Sequence, residues 1–218
     1  VFLDPTQKRL VERDYSGPAK VSGSAGTGKT IVALHRAAHV ARTNTDARVL
    51  LTTFSDPLAH SLQNKLSRLL GKEPRLGERL EVESMNAVGM RLYKASLGSL
   101  SIASKEVIHQ LLEDASTQIQ DHNFNAYFLR TEWEEVVDAW QLDTWEKYRD
   151  VVRLGRKTRL PEQQRKVLWE IFEIVRSGLE NKGMKTLSQM FGDLAKHLEG
   201  SKNPPFDYAI VDEAQDIS

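Results

Sequence analysis

Eight consecutive residues near the beginning of the chain have the types and the order that bind the phosphates of a nucleotide: Gly23, Ser24, Ala25, Gly26, Thr27, Gly28, Lys29 and Thr30. Glycines allow the backbone to wrap closely around an anion, so that its N–H groups and the N-terminus of the following helix face the phosphates. Lys29 supplies a positive charge for the β- and γ-phosphates, and Thr30 supplies a hydroxyl ligand for Mg²⁺. The alternative is a glycine-rich turn without a ligand, but the segments on both sides favour a phosphate-binding loop. The motif therefore predicts binding of ATP with Mg²⁺.

A second group of chemically active residues follows an apolar run at positions 206–211: Asp212, Glu213, Ala214, Gln215 and Asp216. The run predicts a buried strand, and open α/β sheets bind their ligands at the carboxyl ends of strands. One of the two adjacent carboxylates could hold Mg²⁺, and the other could accept a proton from an attacking water. An acidic cluster alone is more typical of a solvated terminus. Combined with the glycine-rich loop, it predicts an ATP site.

The composition is typical of a soluble globular protein, with 40% hydrophobic and 28% charged residues in 218. Cysteine is absent from the sequence, which excludes a disulfide framework and a zinc site built on thiolates. No apolar run is long enough to span a bilayer, so we expect no membrane partner and a cytoplasmic location. The formal net charge is zero, so any binding of nucleic acid must come from local patches. The sequence begins with Val1 rather than Met, and we expect it to be part of a longer chain.

The first hundred residues alternate between segments with the patterns of strands and of helices. We predict strands at residues 19–22, 48–54 and 80–84, and helices at residues 31–42, 57–70 and 87–95. Together with the strand at 206–211, this alternation predicts an α/β fold in which helices flank a parallel sheet. Together with the glycine-rich loop, this alternation predicts the fold of a P-loop NTPase, with a RecA-like parallel sheet flanked by helices.

Between these parts lies a long segment in which the apolar residues follow only the helical period. Three groups each fall on one helical face: Val107, Ile108, Leu111, Leu112, Ala115 and Ile119 in the first; Trp133, Val136, Val137 and Trp140 in the second; Val167, Leu168, Ile171, Phe172, Val175 and Leu179 in the third. Gly183 and Gly200 are predicted to end the last two helices. We therefore predict an all-α subdomain at residues 99–202, inserted into an ATP-binding domain formed by residues 1–98 and 203–218.

The order of these motifs resembles the N-terminal half of a UvrD/Rep-type superfamily 1 DNA helicase, over essentially the whole chain. Besides the loop and the acidic ending, two short segments carry the resemblance: Thr52-Thr53-Phe54-Ser55 and Ser84-Met85-Asn86. The family also implies that Gln7 recognises adenine, because an amide can pair with both the donor and the acceptor on the adenine edge. Without the other motifs, Gln7 would be interpreted as a solvated residue at the start of a helix.

The resemblance implies that DNA is the partner of this chain. In the family, the first short segment lines the path of single-stranded DNA, where Phe54 would stack on a base and Ser55 would contact a phosphate. Met85 and Asn86 occupy the place of a second DNA-contacting motif. Two alternatives based on packing stay open, since Phe54 could be a core aromatic residue at the end of a strand and Met85 could be a core residue.

The inserted helices of this family lie near duplex DNA, which makes a duplex junction a further predicted contact. A basic stretch in the insertion carries seven cations: Arg149, Arg153, Arg156, Lys157, Arg159, Arg165 and Lys166. Contacts with phosphates would give binding a steep salt dependence. The alternative is a solvated loop and helix face.

The resemblance implies ATP-driven movement on single-stranded DNA in the 3′ to 5′ direction. Lys29 and the loop amides would hold the phosphates, while Thr30 and Asp212 would bind Mg²⁺. Glu213 would polarise the attacking water, and Gln215 would link the γ-phosphate to the DNA-contacting segments. Members of the family need a second motor domain that supplies arginines to the γ-phosphate. We therefore expect this chain alone to bind ATP and to hydrolyse it slowly.

Two other classes of function stay open at the level of sequence. The parent protein could be a nucleotide-gated protein that remodels a partner without unwinding DNA. The chain could also be a P-loop phosphotransferase in which the helical segment covers a small substrate.

Overall fold

The structure, a computed structural model, describes residues 3–71, 73–120, 122–152 and 160–216. The chain divides into two compact units, of which the first is formed by residues 1–91 and 200–218 and the second by residues 92–199. The second unit is continuous in sequence and interrupts the first. The domain boundaries predicted at residues 98 and 203 stay a prediction.

The first unit contains most of the predicted α/β elements. In chain order they are α1 Pro5–Glu12, α2 Lys29–Thr43, β1 Val49–Thr53, α3 Asp56–Leu70, α4 Pro74–Gly77, β2 Leu80–Ser84, the first part of α5 Met85–Leu97, β3 Tyr208–Val211 and a 3₁₀ turn Ala214–Asp216. The strands β1 and β2 and the helices α2, α3 and α5 confirm the predictions for these segments. A capping box begins α1, in which the Asp4 carboxylate accepts hydrogen bonds from the N–H groups of Thr6 and Gln7.

The three strands form a parallel sheet in the order β2-β1-β3. In the register, Val49 lies opposite both Leu80 and Tyr208, and Thr53 lies opposite Ser84. All five residues of the central strand β1 are buried. One face of the sheet is covered by α2 and α3, which enclose an apolar core with alternate strand residues: Val49, Leu51, Leu80, Val82 and Ile210. The α/β class with a small parallel sheet is thus confirmed.

The strand predicted at residues 19–22, immediately before the glycine-rich loop, is wrong. These residues have no regular secondary structure in the described chain, and all four are exposed, with Val21 at 41%. Only two apolar side chains alternate there with Lys20 and Ser22, so the segment gains little from burial.

The strand predicted at residues 206–211 is present from Tyr208, but the prediction that it is buried is wrong for its first half. Tyr208 and Ala209 are exposed, and the last two residues are partly buried. The reason is position in the sheet, because β3 is an edge strand whose outer side pairs with no other strand of the described residues.

The second unit is helical, with elements α6 Lys105–Gln118, α7 Ala126–Glu132, a π-helix Trp133–Asp138, α8 Trp145–Asp150, α9 Glu162–Asn181 and α10 Leu187–Glu199. Its core includes Trp133, Tyr148 and Phe172, each at most 1% exposed. Inside this core, the Tyr148 hydroxyl donates a hydrogen bond of 2.9 Å to the buried carboxylate of Glu132. The predicted apolar faces of α6 and α9 are confirmed by their contacts with this core.

Trp140 departs from the predicted face of the second helix. Trp133, Val136 and Val137 are buried, whereas Trp140 is 67% exposed. The cause is the π-helix at 133–138, since its wider turns shift the following residues out of the 3.6-residue period. The helix then ends in a turn in which Gln141 has a positive φ of 49°. No helix of the described residues is both long and apolar enough to cross a membrane.

Candidate functional site: the glycine-rich loop and the carboxyl edge of the sheet

The glycine-rich loop closes around the side chain of its own lysine. Gly26 and Gly28 have positive φ angles of 78° and 82°, and Gly28 is the N-cap of α2. These angles favour glycine and turn the loop back toward the helix. The Lys29 ammonium donates hydrogen bonds of 3.0 and 2.9 Å to the carbonyl oxygens of Gly23 and Ser24. The loop therefore holds a cation at the N-terminus of a helix, where an anion is stabilised.

Gln7 lies directly against this loop. Its side-chain N–H₂ donates a hydrogen bond of 3.1 Å to the Thr27 carbonyl oxygen, and its side-chain oxygen accepts one of 3.1 Å from the Asp4 N–H. A Cβ atom at Gly28 would lie 2.6 Å from the Gln7 nitrogen. A side chain at position 28 would therefore displace the Gln7 amide, in addition to the strain from the positive φ. The structure thus brings together the amide and the loop that the sequence assigned to one nucleotide site.

Helix α1, which carries Gln7, is held at its other end by Arg36 of α2. The Arg36 guanidinium donates hydrogen bonds of 2.6 and 2.8 Å to the carbonyl oxygens of Val11 and Arg13. It also lies 5.1 Å from the centre of the Tyr15 ring, and the Tyr15 hydroxyl donates to the Leu10 carbonyl oxygen. Carbonyl groups at the end of a helix lack partners within the helix, so a cation there is favourable. Sequence reasoning missed both residues, because their spacing from α1 carries no recognisable pattern.

The predicted acidic residues follow β3 at the carboxyl edge of the sheet. The Asp212 N–H donates a hydrogen bond of 2.8 Å to the Thr52 carbonyl oxygen, and the residue is 8% exposed. Glu213 has a positive φ of 55°, a conformation that is uncommon outside glycine. The Gln215 side-chain N–H₂ donates a hydrogen bond to the Glu213 carboxylate. The chain therefore turns sharply after β3 and brings the side chains of Glu213 and Gln215 into contact.

The two segments predicted to contact DNA are neighbours at the same edge. Because β1 and β2 are parallel and Thr53 lies opposite Ser84, the residues that follow the two strands leave the sheet side by side. Phe54 is 49% exposed and is therefore not a core residue. Ser55, Met85 and Asn86 are partly buried.

A short hydrogen-bond chain connects these two segments. The Ser84 hydroxyl donates to the carboxylate of Asp56, the first residue of α3, and accepts a hydrogen bond of 3.2 Å from the Ala87 N–H. Ser84 is 3% exposed, whereas Asp56 is exposed, so this connection is partly buried.

The glycine-rich loop and the carboxyl edge lie at the same end of the sheet. Helix α2 packs on the sheet, and residues 44–48 connect its C-terminal end to the beginning of β1. The N-terminal end of α2, with Lys29 and Thr30, therefore lies at the opposite end, where the strands finish. No hydrogen bond joins the loop to Asp212 or Glu213 within the part of the chain that the structure describes.

The structure describes only part of the basic stretch. Arg153, Arg156, Lys157 and Arg159 lie outside the described residues. Arg149 forms an ion pair of 2.8 Å with the Asp150 carboxylate, which neutralises its charge locally. Contact of this stretch with duplex DNA stays a prediction.

The sheet, the glycine-rich loop and the acidic turn belong to one α/β unit of this protein. The chain belongs to the family described as the UvrD/REP helicase N-terminal domain, whose family model matches residues 3–218. This confirms the resemblance found in the motifs.

Among curated proteins, the chain is similar to the ATP-dependent DNA helicase Rep of Salmonella typhimurium strain LT2. The two are 27% identical over 134 residues, a match that covers 54% of this chain and 19% of that protein. The match therefore spans about a fifth of the length of that relative.

Proposed function

We propose that this chain is the ATP-binding part of an ATP-dependent DNA helicase or translocase. Membership of the helicase family supports DNA as the partner and nucleotide hydrolysis as the reaction. The observation that carries the proposal is the contact of Gln7 with the glycine-rich loop. This contact supports a single site in which Gln7 would select the base beside a loop that would hold the phosphates.

The residues of the loop fit the triphosphate of ATP. The amides of Ser24, Ala25 and Thr27 and the Lys29 ammonium would hold the phosphate oxygens, with Gly23, Gly26 and Gly28 giving the loop its shape. Lys29 would exchange its two carbonyl partners for phosphate oxygens, which is favourable because charged acceptors form stronger hydrogen bonds. Gln7 would bind the adenine edge.

The oxygen ligands at the two elements fit Mg²⁺, which prefers hydroxyl, carboxylate and phosphate oxygens. Thr30 at the start of α2 and Asp212 at the end of β3 would hold the ion. When bound, Mg²⁺ neutralises the charge that develops on the phosphates. Glu213 would accept a hydrogen bond from the attacking water and orient it, with Gln215 holding the carboxylate in place.

DNA would bind along the residues that follow β1 and β2. The exposed ring of Phe54 offers a face for one base, and such stacking contributes about 1–3 kcal/mol per base regardless of sequence. Ser55, Met85 and Asn86 would contact the neighbouring nucleotide. By resemblance to the family, we propose 3′ to 5′ movement, and we assign the helical residues 99–202 as the inserted subdomain beside a duplex junction.

The test is nucleotide binding by the purified chain, measured as the Kd of a fluorescent ADP analogue. Lys29→Ala should weaken binding by about tenfold or more, because it removes a charged hydrogen-bond donor from the phosphates. Lys20→Ala is the matched control, since Lys20 is exposed and lies outside the loop. Glu213→Gln should leave the Kd unchanged and abolish hydrolysis, with or without single-stranded DNA. Equal Kd values for Lys29→Ala and the unmodified chain would refute the proposal.

A further inference from the structure

Three buried polar side chains form a row across the carboxyl edge of the sheet, one from each strand. They are Ser84 of β2, Thr53 of β1 and Asp212 after β3, with exposed fractions of 3%, 0% and 8%. The register pairs Thr53 with Ser84. The hydrogen bond from the Asp212 N–H to the Thr52 carbonyl oxygen continues the β1–β3 register by one residue, which puts Asp212 beside Thr53.

This row lies on the face of the sheet that α2 covers. Val49 and Leu51 of β1 belong to the core formed with α2, and side chains alternate along a strand, so Thr53 lies on the same face. Ile210 of β3 belongs to the same core, and Asp212 is two residues further along. Thr53 and Asp212 therefore lie on the face of the sheet that is covered by α2, the helix whose first residue is Lys29.

The hydroxyl of Thr53 has no hydrogen-bond partner among the described residues, although it is inaccessible to solvent. Ser84, its neighbour in the row, uses its own hydroxyl on Asp56 and Ala87. Buried polar groups are nearly always paired, and leaving one unpaired costs free energy. Because Thr53 is in register with Asp212 on the same face of the sheet, its unpaired hydroxyl is available to that carboxylate.

We propose that Thr53 is a positioning residue for Asp212. In the nucleotide-bound state, the Thr53 hydroxyl donates a hydrogen bond to the Asp212 carboxylate and holds its other oxygen toward Mg²⁺. This inference rests on the proposed ATP function.

The test compares the Kd of a fluorescent ADP analogue with Mg²⁺ and with EDTA. Thr53→Val keeps the shape of the side chain and removes only the hydroxyl. It should reduce the gain in affinity due to Mg²⁺ by about tenfold, the order expected for one hydrogen bond to a charged group, and leave the Kd in EDTA unchanged. Thr53→Ser keeps the hydroxyl and should retain the gain.

Thr52→Val is the matched control. Thr52 is 1% exposed and its hydroxyl is also unpaired among the described residues, but it lies on the opposite face of β1. It should retain the Mg²⁺ gain. The inference is overturned if Thr53→Val retains the gain, or if Thr52→Val loses it equally. If the unmodified chain binds no nucleotide either with Mg²⁺ or in EDTA, the proposed ATP function fails and the inference falls with it. Nucleotide binding without any Mg²⁺ gain overturns the inference alone.

Discussion

Asp138, the last residue of the π-helix, is a carboxylate whose ionisation is opposed by burial. Burial raises the pKa of Asp138 above its usual value of 3.8, and hydrogen bonds from Thr186 and Ser188 act in the opposite direction. The Thr186 hydroxyl donates to its carboxylate at 2.6 Å. Because the folded state binds this proton more tightly than the unfolded chain, Asp138 contributes stability fully below pH 3.8. That contribution is lost as the pH rises through the raised pKa of the folded state.

Asp138→Asn should therefore remove a pH dependence of folding. Asparagine cannot ionise, but its side-chain oxygen still accepts the hydrogen bond from Thr186. Between about pH 4 and pH 7, we expect the free energy of unfolding of the unmodified chain to fall relative to that of the variant. Urea unfolding followed by tryptophan fluorescence measures this difference. Parallel pH profiles for the two proteins would contradict the assignment.

Asp143 provides the control for this experiment. A hydrogen bond from Lys147 lowers the pKa of Asp143 below 3.8, so its contribution to stability is lost only when the pH falls through that lower value. Asp143→Asn should leave the profile parallel to that of the unmodified chain over the same range.

At the scale of single residues, the sequence indicated which residues are candidates for the site, but not which groups their side chains contact. The glycines and Lys29 were proposed as phosphate ligands because of their types and spacing, and Gln7 was proposed as a base ligand from the family resemblance; these roles stay predictions. The unpaired hydroxyl of Thr53 could not be predicted, because it depends on strand register and on the helices that cover the sheet. A threonine pair in a buried strand was the one signal available.

At the scale of secondary structure, the position of α1 depends on a contact made from α2. The Arg36 guanidinium bonds to the carbonyl oxygens of Val11 and Arg13 and so fixes the helix that carries Gln7. Removing it leaves the carbonyl groups at the end of α1 without a charged partner. The two helices that we propose to bind the base and the phosphates are therefore joined by this contact.

Arg36→Met should loosen α1 without disturbing the loop itself. We expect the local opening of α1 to become easier by roughly 1–3 kcal/mol, the value of hydrogen bonds from a charged donor. Amide hydrogen exchange of residues 5–12 measures this, and preference for ADP over GDP should decrease in parallel. The control is Arg42→Met on the same helix, since Arg42 pairs with Glu73 and not with α1. Unchanged exchange in Arg36→Met would show that α1 is held by other contacts.

Elements whose apolar residues follow a clear period were predicted correctly. Segments whose conformation depends on contacts with distant parts of the chain were not. The alternation at 80–84 and the helical periods of α2 and α9 were sufficient to predict these elements. The prediction of a strand at 19–22 was wrong because a strand needs a partner strand, and the presence of a partner is not a property of the local sequence. The prediction that Trp140 lies on the apolar helical face was wrong because a π-helix changes the number of residues per turn without changing the composition.

At the scale of the whole molecule, the second unit forms its apolar core from its own continuous segment of the chain. The buried residues of its main apolar cluster lie between positions 103 and 179, inside the continuous segment 92–199. All four tryptophans of the chain, Trp133, Trp140, Trp145 and Trp169, belong to this unit. Intrinsic tryptophan fluorescence therefore reports on the helical unit only, and circular dichroism reports on both.

The segment 92–199 should fold when it is produced alone. We expect cooperative urea unfolding with a midpoint within about 1 M of the tryptophan transition of the whole chain, because the core is complete within the segment. The emission of buried Trp133 and Trp169 should match that of the whole chain. A solvent-exposed emission spectrum without a cooperative transition would show that the unit depends on the rest of the chain.

The late position of β3 has a consequence for synthesis on the ribosome. About 120 residues separate the end of β2 from the beginning of β3, which corresponds to roughly 6–25 s of translation. During this interval the fully buried strand β1 has one neighbour instead of two, and its open edge can pair with other nascent chains. The helical unit emerges meanwhile and can complete its own core. We therefore expect the helices to fold before the sheet closes, and the edge of β1 to be the segment that most needs a chaperone.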